Sequence, residues 1–275
     1  MIEHANCIST GQLPDPALVQ ALVSVAHARF RSVMEGRVAD YIPALAAVPL
    51  DLFGICVAGT RGECFEVGDS AHPMSIQSVS KPFMFALVCQ AIGEEAARER
   101  LGVNSTGLPF NSVIAVERSA DGLTNPMVNA GAIATTSLAP GNTAEATDLY
   151  TRQCALRVTA RDLAVMAATL ANGGVNPLTR EPIIDPIHCQ HVLAVMVTAG
   201  LYESSGEWLY ETGLPGKSGV SGALITVAPG KGALATFSPP LDEAGNSVRG
   251  QLAARFLAAE LGLNLFASRP ATVAS

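Results

Sequence analysis

Ser78 and Lys81 stand three residues apart in the stretch MSIQSVSKPF, residues 74–83. Helical residues with this spacing share a face, so the two side chains are expected to come within hydrogen-bond reach. A serine hydroxyl becomes a nucleophile when a base removes its proton, and a lysine is such a base when burial lowers its pKa well below ~10.4. The apolar residues after Lys81 favour that burial. The pair therefore points to acyl transfer through Ser78.

An ordinary polar helix start explains the same residues, because serine is a common helix cap and S-x-x-K recurs by chance. A second motif favours catalysis: GLPGKSGVSGAL, residues 213–224, contains Lys217, Ser218 and Gly219. Serine acyl-transfer enzymes of the penicillin-recognising type pair S-x-x-K with K-[ST]-G on an edge strand, where a backbone N–H completes the oxyanion hole. Both motifs occur here in that order.

Two other motifs in the sequence suggest different functions. A phosphate-binding loop ending in GKS requires a glycine at position 211, where the chain has Glu211, so that interpretation fails. HCQH, residues 188–191, places His188 and His191 on one helix face. Because no third or fourth ligand is evident, we expect a solvated helix face there and not a metal site.

Hydrophobic periodicity predicts the elements that position these motifs. We expect a helix over about 16–34 that Asp15 caps, and a helix over about 78–92 that carries Ser78 at its start. Thr159 and Asp162 form a predicted capping box for a helix that ends at Asn172 and Gly173. The remaining predictions are a hairpin over 52–67, a helix over about 187–199, a hairpin in GALITVAPGKGALATFS and a helix over about 247–261.

This order of elements predicts an α/β (α+β) fold, in which a sheet layer joins an all-α region and the site lies between them. The chain has 275 residues, of which 49% are hydrophobic and 15% charged, so it can bury a large core. Its net charge of -7 argues against nucleic-acid or membrane-surface binding and favours a small-molecule partner.

Localisation and cysteine chemistry follow from what the sequence lacks. The N-terminal stretch does not resemble a signal peptide, and no apolar run is long enough to span a bilayer, so we expect a cytoplasmic protein. The six cysteines form no C-x-x-C pair and several lie in apolar segments. We therefore expect them to be reduced, buried and structural.

Longer stretches closely resemble the serine-dependent glutaminase family, in order, from about residue 15 to 266; among them are SIQSVSKPF, GLPFNSVIAVE, NPMVNAGAIATTS, GLYESSGEW and GLPGKSGVSG. The resemblance implies a β-lactamase-like fold with an antiparallel sheet flanked by helices. It also implies hydrolysis of L-glutamine to L-glutamate and ammonia without a metal or organic cofactor, in a homo-oligomer, either a homotetramer or a homodimer. One domain over 1–275 is expected, with a sheet-containing part over about 15–75 and 205–266 and a helical part over about 76–204.

Carried over by position, the resemblance makes Ser78 the nucleophile and Lys81 its base. The positions that match the family's substrate contacts are Asn129, Tyr150, Tyr202 and Val220, and Tyr202 is also a candidate proton relay. Each has a structural alternative: Asn129 can satisfy loop amides, and Tyr150 can be a core aromatic whose hydroxyl is hydrogen-bonded. Val220 would act through its backbone N–H.

One departure from the family pattern is large. Where the family carries a helical segment with a glutamate and an asparagine that contact the amino-acid end of the substrate, this chain has only APGNTAEAT, residues 139–147. Neither Asn142 nor Glu145 fits the family spacing, so neither takes over those roles. We therefore expect weaker glutamine binding or a different amide substrate.

Two other functions stay open from the sequence. The shortened helical region is compatible with a catalytically impaired family member that acts as a ligand-binding or oligomer-partner protein. A β-lactamase or cell-wall peptidase shares the two motifs, but the absence of a recognisable export signal ranks it last.

Overall fold

The computed structural model describes residues 11–139 and 145–268. Up to residue 139 the elements are α1 (Pro16–Phe30), α2 (Pro43–Ala46), β1 (Gly54–Gly59), β2 (Cys64–Gly68), β3 (Met74–Ser75), a 3-10 turn (Gln77–Ser80), α3 (Lys81–Ile92), α4 (Glu94–Leu101), α5 (Ile114–Arg118) and α6 (Asn129–Leu138). From residue 145 they are α7 (Ala146–Ala155), β4 (Arg157–Val158), α8 (Ala160–Ala171), α9 (Pro186–Ala199), a second 3-10 turn (Tyr202–Ser204), α10 (Ser205–Thr212), β5 (Gly216–Gly219), β6 (Ala223–Ala228), β7 (Gly232–Phe237) and α11 (Val248–Glu260).

The main sheet has five antiparallel strands in the order β2-β1-β7-β6-β5. Its two hairpins are joined by the pairing of β1 with β7, in which Val57 lies opposite Leu234. A separate two-stranded sheet pairs β3 with β4, and Ser75 lies opposite Arg157 there. Strand β5, which carries the K-S-G motif, is an edge strand of the main sheet.

Helices cover both faces of the sheet, as the alternation of side chains along the strands requires. Ile55 and Val57 pack in one cluster with residues of α1 and α11. Cys56 and Ala58 face the other way, into a cluster that contains α8, α3 and α9. The sheet is thus buried between two helical layers, and α3, which begins at Lys81, belongs to the second layer.

The sequence predictions of the main elements are confirmed, with shifts at their ends. The Asp15 carboxylate accepts from the N–H of Ala17 at 2.9 Å, as expected of a cap. The capping box of Thr159 and Asp162 is present at the start of α8. Both hairpins form, and the α/β (α+β) class with an antiparallel sheet is confirmed. Helix α1 ends at Phe30, four residues before the predicted end.

Other expectations need correction or lie outside the described residues. His188 is 9% exposed, so this part of the predicted solvated face is wrong; its Nδ1 lies 3.4 Å from a carboxylate oxygen of Glu94 on the neighbouring α4. Of the cysteines, Cys64 and Cys154 are only partly buried and Cys7 lies outside the described part. The C-terminal tail SRPATVAS, which its terminal position predicts to be frayed, lies outside the described part from residue 269 on.

Helix α8 packs on the main sheet although it falls within residues 76–204, where the helical part was expected. The boundary between a sheet-containing part and a helical part is therefore not sharp at α8. The division of one domain into these two parts stays a prediction. Within residues 11–139 and 145–268, no helix is long and apolar enough to cross a membrane.

Candidate active site

Ser78 lies in the 3-10 turn that leads into α3, and Lys81 is the first residue of that helix. Both are buried, with exposed fractions of 7% and 1%. Pro82 is tolerated because first-turn amides have no helical acceptor, and for the same reason the N–H of Ser78 is free to bind an oxygen. Gln77 holds a φ of +48°, so the turn is strained directly before Ser78.

Lys81 is held by oxygen atoms that the sequence alone did not connect to it. Its Nζ donates to Asn129 Oδ1 at 2.8 Å and to the Met127 carbonyl at 3.3 Å. Burial lowers the pKa of Lys81 to about 7, although its interaction with Cys154 raises it slightly. No hydrogen bond joins Lys81 Nζ to Ser78 Oγ, so the expected direct contact is not made in this structure.

Asn129 and Tyr150 meet beside Lys81 on neighbouring helices. Asn129 opens α6, and its Oδ1 also accepts from the Tyr150 hydroxyl at 3.2 Å. The Lys81 Nζ lies 6.0 Å from the centre of the Tyr150 ring. Burial, followed by the neighbouring Cys154, raises the pKa of Tyr150, so its phenol stays protonated. The Asn129 side-chain nitrogen has no partner among the described residues and is free to donate.

Tyr202 is a second tyrosine at the site. It has a φ of +59°, which is rare outside glycine, and its hydroxyl donates to the Ser218 carbonyl at 3.3 Å. Its ring lies 4.6 Å from that of Phe110. Burial raises the pKa of Tyr202 to about 12, and hydrogen bonds with Ser78 and Ser218 offset part of the rise. Tyr202 is therefore a hydrogen donor next to Ser78.

Lys217 is a second buried lysine at the site. Its Nζ donates to the carbonyls of Gly200 at 2.9 Å and Ser218 at 2.8 Å, and it lies 4.2 Å from the centre of the Tyr202 ring. Burial, and then the nearby charge of Lys81, hold the pKa of Lys217 well below its usual value. The K-S-G motif marks this lysine in the sequence, but only the structure connects it with Tyr202.

The end of β5 lies against the turn that carries Ser78. A Cβ added at Gly219 would lie 3.2 Å from the Ile76 carbonyl oxygen, so a larger residue would require the neighbouring turn to shift by a few tenths of an ångström. Val220 follows the last ladder pair, Gly219 with Ala223, and no described backbone carbonyl accepts from its N–H. The N–H groups of Ser78 and Val220 are thus both available for an oxyanion.

Three further residues reach the site without having been predicted. Cys154 interacts electrostatically with Lys81 and Tyr150, and Tyr41 interacts with Tyr202. Phe110 packs on Tyr202. The four-residue spacing of Tyr150 and Cys154 on one helix was a usable signal, whereas Tyr41 and Phe110 lie in loop-rich sequence with no periodic pattern.

A cavity of about 790 Å³ opens next to Tyr202 and is lined by Tyr41, Phe110, Glu203 and Gly245, among others. Tyr41 and Phe110, which interact with Tyr202, connect this cavity with the site. In the described part of the chain, no group of three His, Cys, Asp or Glu side chains is arranged to hold a metal ion. Glu145 is exposed at the start of α7, and Asn142 lies outside the described residues.

The geometry combines a buried serine, a lysine with a lowered pKa, a protonated phenol and two free N–H groups. Comparison with known proteins shows which family the chain resembles. The sequence model of the Glutaminase family matches residues 36–147 and 141–266. "Glutaminase 2" of Yersinia pestis is 53% identical, over 96% of this chain and 94% of that protein. A "Glutaminase" of Brucella suis is 42% identical, over 91% of this chain and 96% of that protein.

Solved structures agree with the sequence comparison. A protein described as probable glutaminase ybaS superposes with a TM-score of 0.90 at 38% identity, covering 92% of this chain and all of that one. The structure of Mglu in its glutamate form has a TM-score of 0.84 at 30% identity and covers 93% of this chain and 71% of that one. Both resemblances support the β-lactamase-like fold.

The comparisons also bear on the missing segment. The alignment with the Yersinia protein extends over 319 positions, 44 more than the 275 residues of this chain, so that relative carries residues that this chain lacks. The family model matches in two pieces that meet at residues 141–147. Both findings agree with a deletion at the short connection after α6.

Proposed function

The chain belongs to the glutaminase family, and from this premise we propose that it hydrolyses L-glutamine to L-glutamate and ammonia through an acyl-enzyme on Ser78. The observation that carries the proposal is the burial of Ser78 beside Lys81, whose pKa of about 7 makes it a usable base at neutral pH. The glutamate form of Mglu supports glutamate as a ligand of this fold.

The two groups next to Ser78 divide the proton transfers between them. At pH 7 a lysine with a pKa of about 7 is roughly half neutral, whereas a phenol with a pKa of about 12 is almost entirely protonated. Lys81 is therefore the base and Tyr202 the hydrogen donor. The Lys81 amine is held by Asn129 and Met127, so it has to turn toward Ser78 when substrate binds.

Acylation then follows from these assignments. Ser78 Oγ bonds to the γ-amide carbon while its proton passes to Lys81, and the N–H groups of Ser78 and Val220 bind the oxyanion. The C–N bond breaks as the leaving nitrogen takes a proton from Tyr202 or Lys81. Water attacks the resulting γ-glutamyl ester, gives its proton to the base and restores the Ser78 hydroxyl.

Substrate binding is assigned to Asn129, Tyr150, Tyr202 and Val220. The free side-chain nitrogen of Asn129 supports a role as donor to the substrate, and the Tyr150 hydroxyl, which lies 3.2 Å from Asn129 Oδ1, keeps that amide oriented. Lys217 is a positioning residue, because it fixes the Ser218 carbonyl that accepts from Tyr202. Homo-oligomer formation and a cytoplasmic location stay predictions from the sequence.

A second candidate function is that of a catalytically impaired member that binds a ligand or an oligomer partner. The shortened connection after α6 supports it: the alignment with the Yersinia relative has at least 44 positions that this chain does not fill, and the family resemblance implies that the missing segment contacts the substrate. The purified chain separates the two functions: an enzyme releases ammonia from L-glutamine in a Ser78-dependent reaction, and an impaired member releases none while folded.

The pH dependence of turnover is the first prediction. Because Lys81 acts in its neutral form and its pKa is about 7, kcat is expected to rise with pH through about 7 and to fall about tenfold for each unit below it. A stopped assay of ammonia release between about pH 5 and pH 9 measures this limb. Lys81→Arg, which stays charged, should be inactive throughout, and a profile that is flat down to about pH 5 would contradict the assignment.

Asn129→Asp is expected to move the rise of kcat with pH toward alkaline pH. The substitution places a carboxylate 2.8 Å from Lys81 Nζ, and an adjacent opposite charge favours the protonated amine, shifting its pKa upward by about 1–3 units. The same kcat profile measures the shift. Asn129→Ala is the matched control: it loses activity without an alkaline shift. If kcat fell at the same pH in both variants as in the parent chain, the titration of Lys81 would not be what sets the pH profile.

A further inference from the structure

A cavity of about 350 Å³ separate from the one beside Tyr202 lies between α2, the end of β7 and the small β3–β4 sheet. Its walls come from residues that are far apart in sequence, and Ser221, which lines it, directly follows Val220. The catalytic steps assigned above use none of its polar groups. Its composition is uneven: one side is apolar and the other carries hydroxyl, imidazole and guanidinium groups.

The polar side is notable for groups without partners. Ser221 is 3% exposed, and its Oγ makes no hydrogen bond within the described chain. Arg157 is the one charged residue among the described residues that line the cavity; it is exposed, and its guanidinium makes no hydrogen bond or ion pair with any described residue. The His72 ring stacks on Phe237 at 5.6 Å, and neither of its nitrogens is hydrogen-bonded to a described residue. A buried hydroxyl without a partner is costly, so Ser221 points to an absent acceptor or donor.

The positive charge of Arg157 favours an anionic ligand. No carboxylate lines the cavity, and Arg157 supplies an unpaired guanidinium, which suits an oxyanion with two oxygens. Ser75 contributes less, because its Oγ already accepts from Gln77 Nε2 at 3.0 Å. Arg157 and Ser75 are opposite each other in the β3–β4 pair, so the small sheet holds this side of the cavity in place.

The apolar side excludes a bare inorganic anion as the best occupant. Leu45, Val48, Met74 and Phe237 form this wall. Bound phosphate would leave the apolar wall in contact with water. A neutral apolar molecule would leave the Arg157 charge without a counter-ion and the Ser221 hydroxyl without a hydrogen-bond partner. We propose that this cavity binds a small organic monocarboxylate, whose carboxylate meets Arg157 and Ser221 and whose alkyl part packs on Leu45, Val48 and Phe237.

The site lies close to the catalytic centre but is distinct from it. Val220, the proposed oxyanion donor, packs in one small cluster with Leu45, which lines the cavity. The catalytic lysine instead contacts Met127. Both methionines belong to one core cluster, but Met74 lines the cavity and Met127 does not, so Met74 reports on the cavity and Met127 on the active site.

The test is a titration of the full chain, labelled with ¹³C-methyl methionine, with isovalerate, a branched monocarboxylate. The Met74 resonance, assigned through Met74→Leu, should shift and saturate while that of Met127 stays in place. Isovaleramide, the neutral analogue, and inorganic phosphate should each bind at least about tenfold more weakly. A shift at Met127 alone, no binding of isovalerate, or equal binding of either comparison compound would overturn the proposal.

Variants assign the carboxylate contact. Arg157→Gln is expected to weaken isovalerate binding about tenfold or more, and Ser221→Ala to weaken it by a smaller factor. Arg152→Gln is the matched control, because Arg152 is an exposed arginine on α7 that faces Asp148 instead of the cavity. Since Arg157 is exposed, its replacement should leave the fold intact. Unchanged affinity in Arg157→Gln would contradict the assignment, as would an equal loss in Arg152→Gln.

Discussion

Ser78→Ala is expected to abolish ammonia release from L-glutamine, with kcat falling by about 10⁴ or more. The reason is that the acyl-enzyme cannot form without Ser78 Oγ, so only orientation and the oxyanion donors would remain to assist attack by water. Removing one atom from a side chain that is 7% exposed should change the fold little. Steady-state assays with enough enzyme to detect one turnover per hour measure the loss.

Ser80→Ala is the control for this substitution. Ser80 lies in the same 3-10 turn and is also buried, but its Oγ donates to the Gln77 carbonyl at 2.7 Å and accepts from Gln153 at 2.8 Å. Loss of these bonds is expected to lower kcat by about tenfold or less, through the shape of the turn. Equal losses in the two variants would mean that the turn, and not the Ser78 hydroxyl, carries the activity.

The KM for glutamine is expected to be high because the chain lacks the segment that, in the family, contacts the amino-acid end of the substrate. Losing the partner of a substrate ammonium costs about 2–5 kcal/mol when the charge is left buried, which is a factor of about 30 to several thousand in affinity. Replacing residues 139–147 with the corresponding segment of the Yersinia relative should lower KM by about that factor. The kcat should stay within about tenfold, because Ser78 and Lys81 are unchanged.

Glutaramate, which is glutamine without its α-amino group, provides the matched substrate. The chain as it stands should hydrolyse glutamine and glutaramate with similar kcat/KM, whereas the grafted chain should prefer glutamine strongly. A low KM for glutamine in the original chain, together with strong discrimination against glutaramate, would show that other residues hold the ammonium. Glu203, which lines the cavity beside Tyr202, would then be the first to examine.

Local sequence patterns predicted the elements whose formation depends on helix caps, hydrophobic periodicity and turn residues. The capping box at Thr159 begins a segment of helical periodicity, and α8 forms as expected. The late hairpin is marked by its Pro-Gly-containing turn and β-branched residues. Strand β5 was missed as a strand of its own because it is short and glycine-rich, so its pairing with β6 sets its conformation more than its composition does.

The candidate site was predicted in its residues but not in its contacts. The spacing of Ser78 and Lys81 suggested a direct hydrogen bond, yet the amine instead bonds to Asn129 and Met127, which are nearly 50 positions away in sequence. These partners depend on how α3 packs against α6. Local patterns in a single sequence do not predict which helices pack together. The positive φ values of Gln77 and Tyr202 were equally inaccessible, since neither residue type favours them.

His188 shows the same limit in a different setting. Its spacing from His191 suggested one solvated face, but the two side chains have different surroundings: His188 lies against Glu94 on α4, and His191 remains exposed. The sequence did not reveal α4 as a separate helix, so the neighbour that buries His188 was absent from the prediction. The contact between α4 and α9 determines the burial of His188, and the spacing of the two histidines alone does not predict it.

The most direct test of the proposed mechanism is to trap the covalent intermediate. The chain would be mixed with L-glutamine at high concentration, quenched in acid within milliseconds to seconds and digested, and the peptides examined by mass spectrometry. The mechanism predicts a γ-glutamyl ester on the peptide that contains Ser78, absent from Ser78→Ala and cleaved by hydroxylamine. Ammonia release with the glutamyl group found on Cys154, or with turnover persisting in Ser78→Ala, would contradict the assignment of Ser78 as the nucleophile.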